Sequence, residues 1–212
     1  MRMRKKKWAR PYIAERDEVV VSDPEKLKGL WKKTLGVKVL HVEIGSGKGA
    51  YWIGMSKLYP EEGFVAIERS ADAAAMGLKK CLEPTANMRL IVGDATLIDQ
   101  WFAPGEIDII HLNFSDPWPK KGHTKRRLTS DQFRDKYHAL LSQKGIIIQK
   151  TDKRSLFEYS LESLTSGFSL EAKDDNYRSK PHPEDVITEY EQDFIDAGLP
   201  IYRAIWVKEE KE

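Results

Sequence analysis

The chain has 212 residues, a length that suits one domain with a single substantial core, so one domain spanning residues 1–212 is expected. Charged residues make up 32% of the chain and hydrophobic residues 41%, which excludes a disordered polymer, a fibrous protein and a membrane protein. No unbroken apolar run exceeds four residues, so we expect a cytoplasmic protein with no membrane partner. Cys81 is the only cysteine, which excludes an intrachain disulfide and a thiolate zinc cage, and no metal is expected.

The net charge of +2 conceals two basic clusters. Six basic and no acidic side chains occupy residues 1–10, within a basic N-terminal segment that extends to about residue 16. Five more basic side chains lie within residues 120–127, beside one histidine and no acid. Either cluster alone is compatible with a solvated surface, but two of them in one small domain favour a polyanionic partner.

Strands alternate with helices along the chain. In chain order we predict a strand at 39–44, a helix at 50–58, a strand at 64–68, a helix at 70–82, strands at 90–92 and 107–114, a helix at 129–141, a strand at 146–148, a helix at 156–164, a strand at 168–172, a helix from about Thr188 to before Gly198, and a strand at 202–207. Ser70 is the predicted N-cap of one helix, and Thr129 or Ser130 of another. This alternation is typical of an α/β fold with a Rossmann-like, doubly wound, mainly parallel sheet, and its break near the end predicts an antiparallel last strand.

Ligands in this architecture bind beyond the carboxyl ends of the strands. The polar residues that follow successive predicted strands are Glu43 and Gly45, Glu68, Asp94, Ser115 and Asp116, and Thr151 and Asp152. Because parallel strands end at the same edge of a sheet, we expect these residues to converge on one crevice.

A glycine-rich loop follows the first predicted strand, with Gly45 and Gly47 at its centre. Glycines let the backbone approach a ligand closely, and the loop also satisfies a dinucleotide-binding pattern. Glu43 favours S-adenosylmethionine over a dinucleotide, because a carboxylate here repels a pyrophosphate and attracts an ammonium or sulfonium group. Glu68 suits the two ribose hydroxyls, and Asp94 suits the adenine amino group.

Residues 113–129, at the end of the fourth predicted strand and directly after it, are the most informative part of the sequence. Pro117 and Pro119 stiffen this stretch and bias Asp116 and Trp118 towards extended conformations. Asp116 is thereby held at the mouth of the expected crevice. A stiff acid flanked by cations is what we expect where a nucleotide is held by its phosphates and its base enters a pocket.

These motifs resemble the bacterial tRNA (guanine-N7-)-methyltransferases over nearly the whole chain. The similarity is carried by Val-Glu-Ile-Gly-Ser-Gly-Lys-Gly at 42–49, Ala-Ile-Glu at 66–68, Gly-Asp-Ala at 93–95, Asn-Phe-Ser-Asp-Pro-Trp-Pro-Lys-Lys at 113–121, Lys-Arg-Arg-Leu-Thr at 125–129, Lys-Thr-Asp at 150–152, Thr-Glu-Tyr-Glu at 188–191 and Gly-Leu-Pro-Ile-Tyr-Arg at 198–203. The departures are small: Gly122 replaces a commoner basic residue, Lys153 a polar neutral one, and His111 an aromatic one.

The resemblance implies methyl transfer from S-adenosylmethionine to N7 of a guanine in the variable loop of tRNA. It implies cofactor-binding roles for Glu43, Gly45, Gly47, Glu68, Asp94 and Asp116, and a catalytic role for Asp116. It implies substrate-binding roles for Lys120, Asp152, Thr188, Glu189, Tyr190 and Glu191. It implies contact with RNA through Gly122, His123, Thr124, Lys125, Arg126 and Arg127.

Several alternatives stay open at this point. Asp152 or Glu191 is the acceptor for the Watson–Crick edge of guanine, which presents N1–H and N2–H donors. Trp118 stacks on a flipped base or anchors its own loop. A nicotinamide oxidoreductase would use the same glycine loop, and a non-catalytic RNA-binding module would explain the basic clusters. We expect a monomer or a weak homodimer.

Overall fold

The computed structural model describes residues 5–210, apart from the side chain of Glu189. The helices are α1 (Ala9–Ala14), α2 (Trp31–Leu35), α3 (Ala50–Leu58), α4 (Ala71–Lys80), α5 (Ile98–Trp101), α6 (Asp131–Leu140), α7 (Arg154–Ser163) and α8 (Glu189–Asp196). The strands are β1 (Leu40–Ile44), β2 (Gly63–Glu68), β3 (Met88–Val92), β4 (Ile107–Asn113), β5 (Leu141–Thr151), β6 (Phe168–Asp174) and β7 (Tyr202–Lys208). All the predicted strands and helices are confirmed, while α1, α2 and α5 were not predicted.

The strands form a mixed seven-stranded sheet in the order β3-β2-β1-β4-β5-β7-β6. Strand β2 pairs in parallel with β1 and with β3, and β4 pairs in parallel with β5. Strand β7 runs antiparallel to both β5 and β6. The predicted α/β class, with a mainly parallel sheet and an antiparallel last strand, is therefore confirmed.

The chain divides into two compact units at residues 103 and 104. The single-domain expectation stays a prediction, as does the convergence of the strand ends on one crevice. Up to residue 103, α1 packs against α4, and the guanidinium of Arg16 donates to the carbonyls of Leu78 and Cys81 at 3.2 and 3.0 Å. The basic N-terminal segment is thus tied, over its described part, to a helix of the first unit.

The unit from residue 104 onward is built on the last four strands and their helices. Its core includes the fully buried Tyr137, Phe157 and Trp206. The hydroxyls of Thr129 and Ser160 lie 2.8 Å apart in the interior and join the start of α6 to α7.

The two predicted N-caps have different outcomes. Ser70 caps α4 as expected, since its hydroxyl accepts a hydrogen bond from the backbone N–H of Ala73 at 3.3 Å. For α6 the predicted N-cap position is confirmed at Ser130, but neither Ser130 nor Thr129 makes a side-chain capping hydrogen bond. The hydroxyl of Ser130 donates to the carbonyl of Lys125 at 3.2 Å, and that of Thr129 pairs with Ser160. Thr129 therefore contacts α7, and Ser130 contacts the segment just before the helix, in place of a capping hydrogen bond.

A membrane-crossing helix is absent from residues 5–210, since none of their helices is both long enough and apolar enough.

Gln149 is a polar side chain in an apolar setting. It lies in β5 opposite Leu112 of β4 and Ala204 of β7, and it is completely buried. Neither atom of its amide has a hydrogen-bond partner among the described residues. A buried donor or acceptor without a partner costs about 1–3 kcal/mol.

We therefore expect Gln149→Leu to raise the free energy of unfolding by about 1–3 kcal/mol, because it removes both unpaired groups at similar volume. Thermal or denaturant unfolding measures the change. Gln132→Leu, at an exposed position of α6, is the matched control and should change stability by less than about 0.5 kcal/mol. A destabilised Gln149→Leu variant would contradict the interpretation.

Candidate active site

The glycine-rich loop lies between β1 and α3 in the first unit. Gly45, Gly47 and Gly49 all adopt positive φ angles, of 79°, 57° and 72°. A Cβ atom built on Gly45 or Gly47 would meet nothing within 4 Å, so the loop presents open backbone at both positions. Side chains other than glycine would be strained there, which explains the glycine spacing.

Glu68 holds this loop from the end of β2. Its Oε2 accepts a hydrogen bond from the backbone N–H of Gly47 at 2.8 Å, and its Oε1 accepts one from Ser70 at 2.7 Å. Burial raises the pKa of this carboxyl above its ordinary value, although both hydrogen bonds oppose the shift. The predicted ribose acceptor is therefore also a support of the glycine loop.

Glu43 and Asp94 differ in their exposure. Glu43 is buried in β1, two residues before Gly45. Asp94 follows β3 and is partly exposed, and its Oδ1 accepts from the backbone N–H and the hydroxyl of Thr96 at 3.0 and 2.9 Å. These hydrogen bonds, led by the backbone one, lower the pKa of Asp94. The Oδ2 atom of Asp94 takes no part in this turn and lies 3.8 Å from Nη1 of the exposed Arg69.

Gly77 of α4 contacts the glycine-rich loop, and this contact was not predicted from the sequence. A Cβ atom at this position would meet the carbonyl oxygen of Lys48 at 2.8 Å. Only glycine lets the helix pack this closely on the loop backbone. A small residue within an otherwise ordinary helix pattern was the only signal in the sequence.

Asp116 lies in the second unit on the loop after β4, and its side chain is exposed. The loop begins as an extension of the sheet, because the N–H of Phe114 donates to the carbonyl of Lys150 at 2.8 Å. Phe114 and Trp118 then adopt φ angles of 49° and 41°. The prediction of an extended Trp118 is therefore wrong. Left-handed backbone at such residues costs on the order of 1–3 kcal/mol each, so the surrounding structure must hold the loop.

The basic segment after this loop contains a short 3-10 helix, Lys121–Arg126. Exposed cationic side chains occur at Lys120, Lys121, Lys125 and Arg126, beside the exposed Gly122 and the half-buried His123 and Thr124. The guanidinium of Arg126 lies 4.9 Å from the ring centroid of Trp118. Arg127 differs from its neighbours, since only 9% of it is exposed.

Asp152 follows β5 and is covered by its neighbours. Only 4% of its side chain is exposed, and its Oδ2 lies 2.5 Å from the Nζ of Lys153, a side chain that is 50% exposed. The pKa of the Tyr190 hydroxyl is raised mainly by burial and secondly by the negative charge of Asp152. The ring of Tyr190 lies 5.0 Å from that of Phe114, between centroids, so α8 meets the loop of Asp116 here.

Glu191 is completely buried and does not face solvent. Its carboxylate lies 3.3 Å from the ammonium of Lys150 and 2.6 Å from Nε of Arg178. It also accepts from the backbone N–H of Thr188 at 3.3 Å, while Thr188 accepts from the N–H of Glu191 at 3.0 Å, which completes a capping box at the start of α8. Asp185 joins the same group, 2.8 Å from Lys150 and 2.6 Å from Arg178.

We call these four side chains the Lys150 cluster: Lys150, Arg178, Asp185 and Glu191. Among these four, only Glu191 was predicted from the sequence to be a site residue. The available signal was Lys150 itself, a lysine between buried positions of a strand. Glu189 begins α8, and its side chain lies outside what the structure describes. Within residues 5–210, no group of three or more His, Cys, Asp or Glu side chains is arranged to hold a metal ion.

Comparison with known proteins identifies the family of this chain. A family model described as a putative methyltransferase matches residues 37–204. The tRNA (guanine-N(7)-)-methyltransferase of Limosilactobacillus reuteri (strain DSM 20016) is 43% identical over 97% of this chain and 98% of its own length. The protein with the same name from Listeria monocytogenes serotype 4b is 42% identical over 96% of each chain.

Solved structures show the same fold at lower identity. The 16S rRNA methyltransferase KamB superposes with a TM-score of 0.62 and 10% identity, over 86% of this chain and 92% of its own. TrmN from Thermus thermophilus superposes with a TM-score of 0.59 and 17% identity, over 94% of this chain and 52% of its own. The near full-length identity to the curated relatives decides the family: this chain is a member of the tRNA (guanine-N(7)-)-methyltransferases.

Proposed function

We propose that this chain transfers a methyl group from S-adenosylmethionine to N7 of a guanine in the variable loop of tRNA. The observation that carries the proposal is the identity of 42–43% to tRNA (guanine-N(7)-)-methyltransferases over nearly the whole of both chains. A tRNA substrate also implies action in the cytoplasm, where tRNA is found. Monomer or weak homodimer stays a prediction.

The first unit has a set of hydrogen-bond acceptors that fits S-adenosylmethionine. The open backbone at Gly45 and Gly47 leaves room for close approach, and the acids around it suit a cationic ligand without phosphates. We assign Glu68 to the ribose hydroxyls, Asp94 to the adenine amino group and Glu43 to the amino-acid end. Each Glu68 oxygen already accepts one backbone hydrogen bond and has a second lone pair for a hydroxyl.

We expect Glu68→Gln to weaken S-adenosylhomocysteine binding about 10- to 100-fold, the value of a hydrogen bond to a charged group. The ligand requires the ionised carboxylate, and the pKa of Glu68 is raised by burial. As the pH is lowered, Glu68 should therefore become protonated at a higher pH than an ordinary glutamate does. The affinity of the wild-type protein for S-adenosylhomocysteine should fall over that same pH range. In Glu68→Gln this pH-dependent fall in affinity should be absent, because glutamine does not titrate. Calorimetry across pH measures both, and an unchanged pH profile in the variant would contradict the assignment.

Guanine recognition is assigned to Asp152 rather than Glu191. Both anionic oxygens of Glu191 are engaged by Lys150, Arg178 and the capping box. Asp152 is paired with Lys153, whose half-exposed side chain can swing into solvent and release the carboxylate. In this proposal the N1–H and N2–H groups of guanine replace Lys153, and Tyr190 and Thr188 border the base.

In this proposal Asp116 contributes a negative charge to catalysis and does not act as a general base. When bound, S-adenosylmethionine supplies a methyl group on a positively charged sulfur. Guanine N7 has a free lone pair, so no proton must be removed before it attacks. Positive charge moves to the purine during transfer, and a fixed carboxylate stabilises it. The stiff loop holds Asp116 in position, which is the alignment that the reaction requires.

We expect Asp116→Asn to lower kcat about 10²- to 10³-fold, the effect of losing one preorganised electrostatic contact. Binding of tRNA should change little. Because N7 needs no deprotonation, raising the pH should not restore turnover, as it could if Asp116 were a general base. Steady-state kinetics between neutral and alkaline pH measure this. Near-normal turnover would reduce Asp116 to a structural role, and alkaline recovery would indicate another target atom.

The exposed cations beside this loop suit the phosphate backbone of tRNA. We expect the double variant Lys125→Ala, Arg126→Ala to lower tRNA affinity and to reduce the slope of log K against log salt by about 0.7–0.9 for each lost contact. S-adenosylhomocysteine affinity should stay the same. Lys33→Ala, Lys38→Ala removes two exposed lysines outside both basic clusters and is the matched control. An equal slope in the two double variants would contradict the assignment.

The function itself is tested with radiolabelled S-adenosylmethionine and unmodified tRNA, followed by nucleoside analysis. The expected product is 7-methylguanosine at one position of the variable loop. A different methylated nucleoside would overturn the proposal. Calorimetry with S-adenosylhomocysteine and with NAD separates it from the two rivals, since an oxidoreductase binds NAD and an RNA-binding module binds neither.

A further inference from the structure

Arg127 ends a run of three basic residues, but its surroundings differ from those of the other two. Lys125 and Arg126 are exposed, whereas only 9% of Arg127 is accessible. A phosphate group of a bound RNA would therefore meet the first two side chains and not the third. The sequence pattern alone treats all three as equivalent.

The guanidinium of Arg127 binds the loop that carries Asp116. Its Nε donates to the carbonyl of Pro117 at 3.0 Å, and its Nη2 donates to the carbonyl of Trp118 at 3.2 Å. Two parallel N–H groups thus bind two successive carbonyls, directly after Asp116. The opposite partner is Tyr159 of α7, whose ring centroid lies 4.2 Å from the guanidinium carbon. Arg127 therefore joins the loop to α7.

This loop needs support from outside itself. Pro117 and Pro119 have no N–H groups, so they cannot donate hydrogen bonds that would hold the turn. Phe114 and Trp118 adopt left-handed backbone conformations that non-glycine residues disfavour. A rigid planar fork can satisfy two carbonyls at once, while the single ammonium of a lysine cannot reproduce that geometry.

We propose that Arg127 is a positioning residue that holds the strained loop of Asp116 in its reactive conformation, and that it is not a phosphate-binding residue. The effect on turnover rests on the proposed methyl transfer. The effect on loop conformation does not, because it is set by the two carbonyl contacts and by Tyr159.

The test compares Arg127→Lys, which keeps the charge but loses the fork, with Lys125→Ala, which removes one exposed cation. Turnover, tRNA affinity against salt and ¹⁹F spectra of 5-fluorotryptophan-labelled protein are measured, with the Trp118 resonance assigned by Trp118→Phe. In Arg127→Lys we expect kcat to fall at least about 10-fold, a shifted or broadened Trp118 resonance, and an unchanged salt slope. In Lys125→Ala we expect the reverse: an unchanged Trp118 resonance and a reduced slope.

Tyr159→Leu provides a second variant that leaves Arg127 in place. Removing the ring beneath the guanidinium should change the Trp118 resonance and lower kcat in the same direction as Arg127→Lys, with the salt slope again unchanged. A wild-type Trp118 resonance and wild-type turnover in Arg127→Lys would overturn the proposal, as would an Arg127→Ala variant whose salt slope falls by about 0.7–0.9. If wild-type protein methylates no tRNA, the proposed function fails, while the resonance still tests the role of Arg127.

Discussion

Two positive and two negative side chains form ion pairs in the interior of the second unit, and the packing of α8 against β5 depends on the balance of their charges. Lys150 and Glu191 are completely inaccessible to solvent, and Arg178 and Asp185 are nearly so. Removing one member of such a group leaves an uncompensated buried charge, which costs about 3–5 kcal/mol. Because Lys150 lies one residue before the end of β5 and Glu191 lies in the first turn of α8, the cluster joins the segments that carry Asp152 and Tyr190.

In each unit a buried or partly buried carboxylate accepts hydrogen bonds from backbone N–H groups. Glu68 accepts hydrogen bonds from Gly47 and Ser70, and Glu191 accepts one from Thr188. Each carboxylate thereby fixes the conformation of a segment whose atoms are assigned to ligand binding. A site held in this way loses little free energy to reorganisation when its ligand arrives, which is the advantage of preorganised polar groups.

The loop of Asp116 obtains its rigidity in another way. Its two prolines restrict the chain but remove the amide donors that usually stabilise a turn. Donors therefore come from Arg127, and aromatic contacts come from Tyr190 against Phe114. The exposed carboxylate of Asp116 stands on this restrained backbone, so its position is defined without burying its charge.

The seven strands, the five longer helices, the mainly parallel sheet and the family were determined by the sequence, because hydrophobic periodicity and short motifs depend on neighbouring residues. The same holds for the glycine loop and the N-cap at Ser70. The conformation of Trp118, the hydroxyl partner of Thr129 and the burial of Arg127 and Glu191 were decided only by the tertiary structure. Arg126 and Arg127 are adjacent and chemically identical, yet one faces solvent and the other binds two carbonyls. Their difference arises from residues 117, 118 and 159, which only folding brings to the same place.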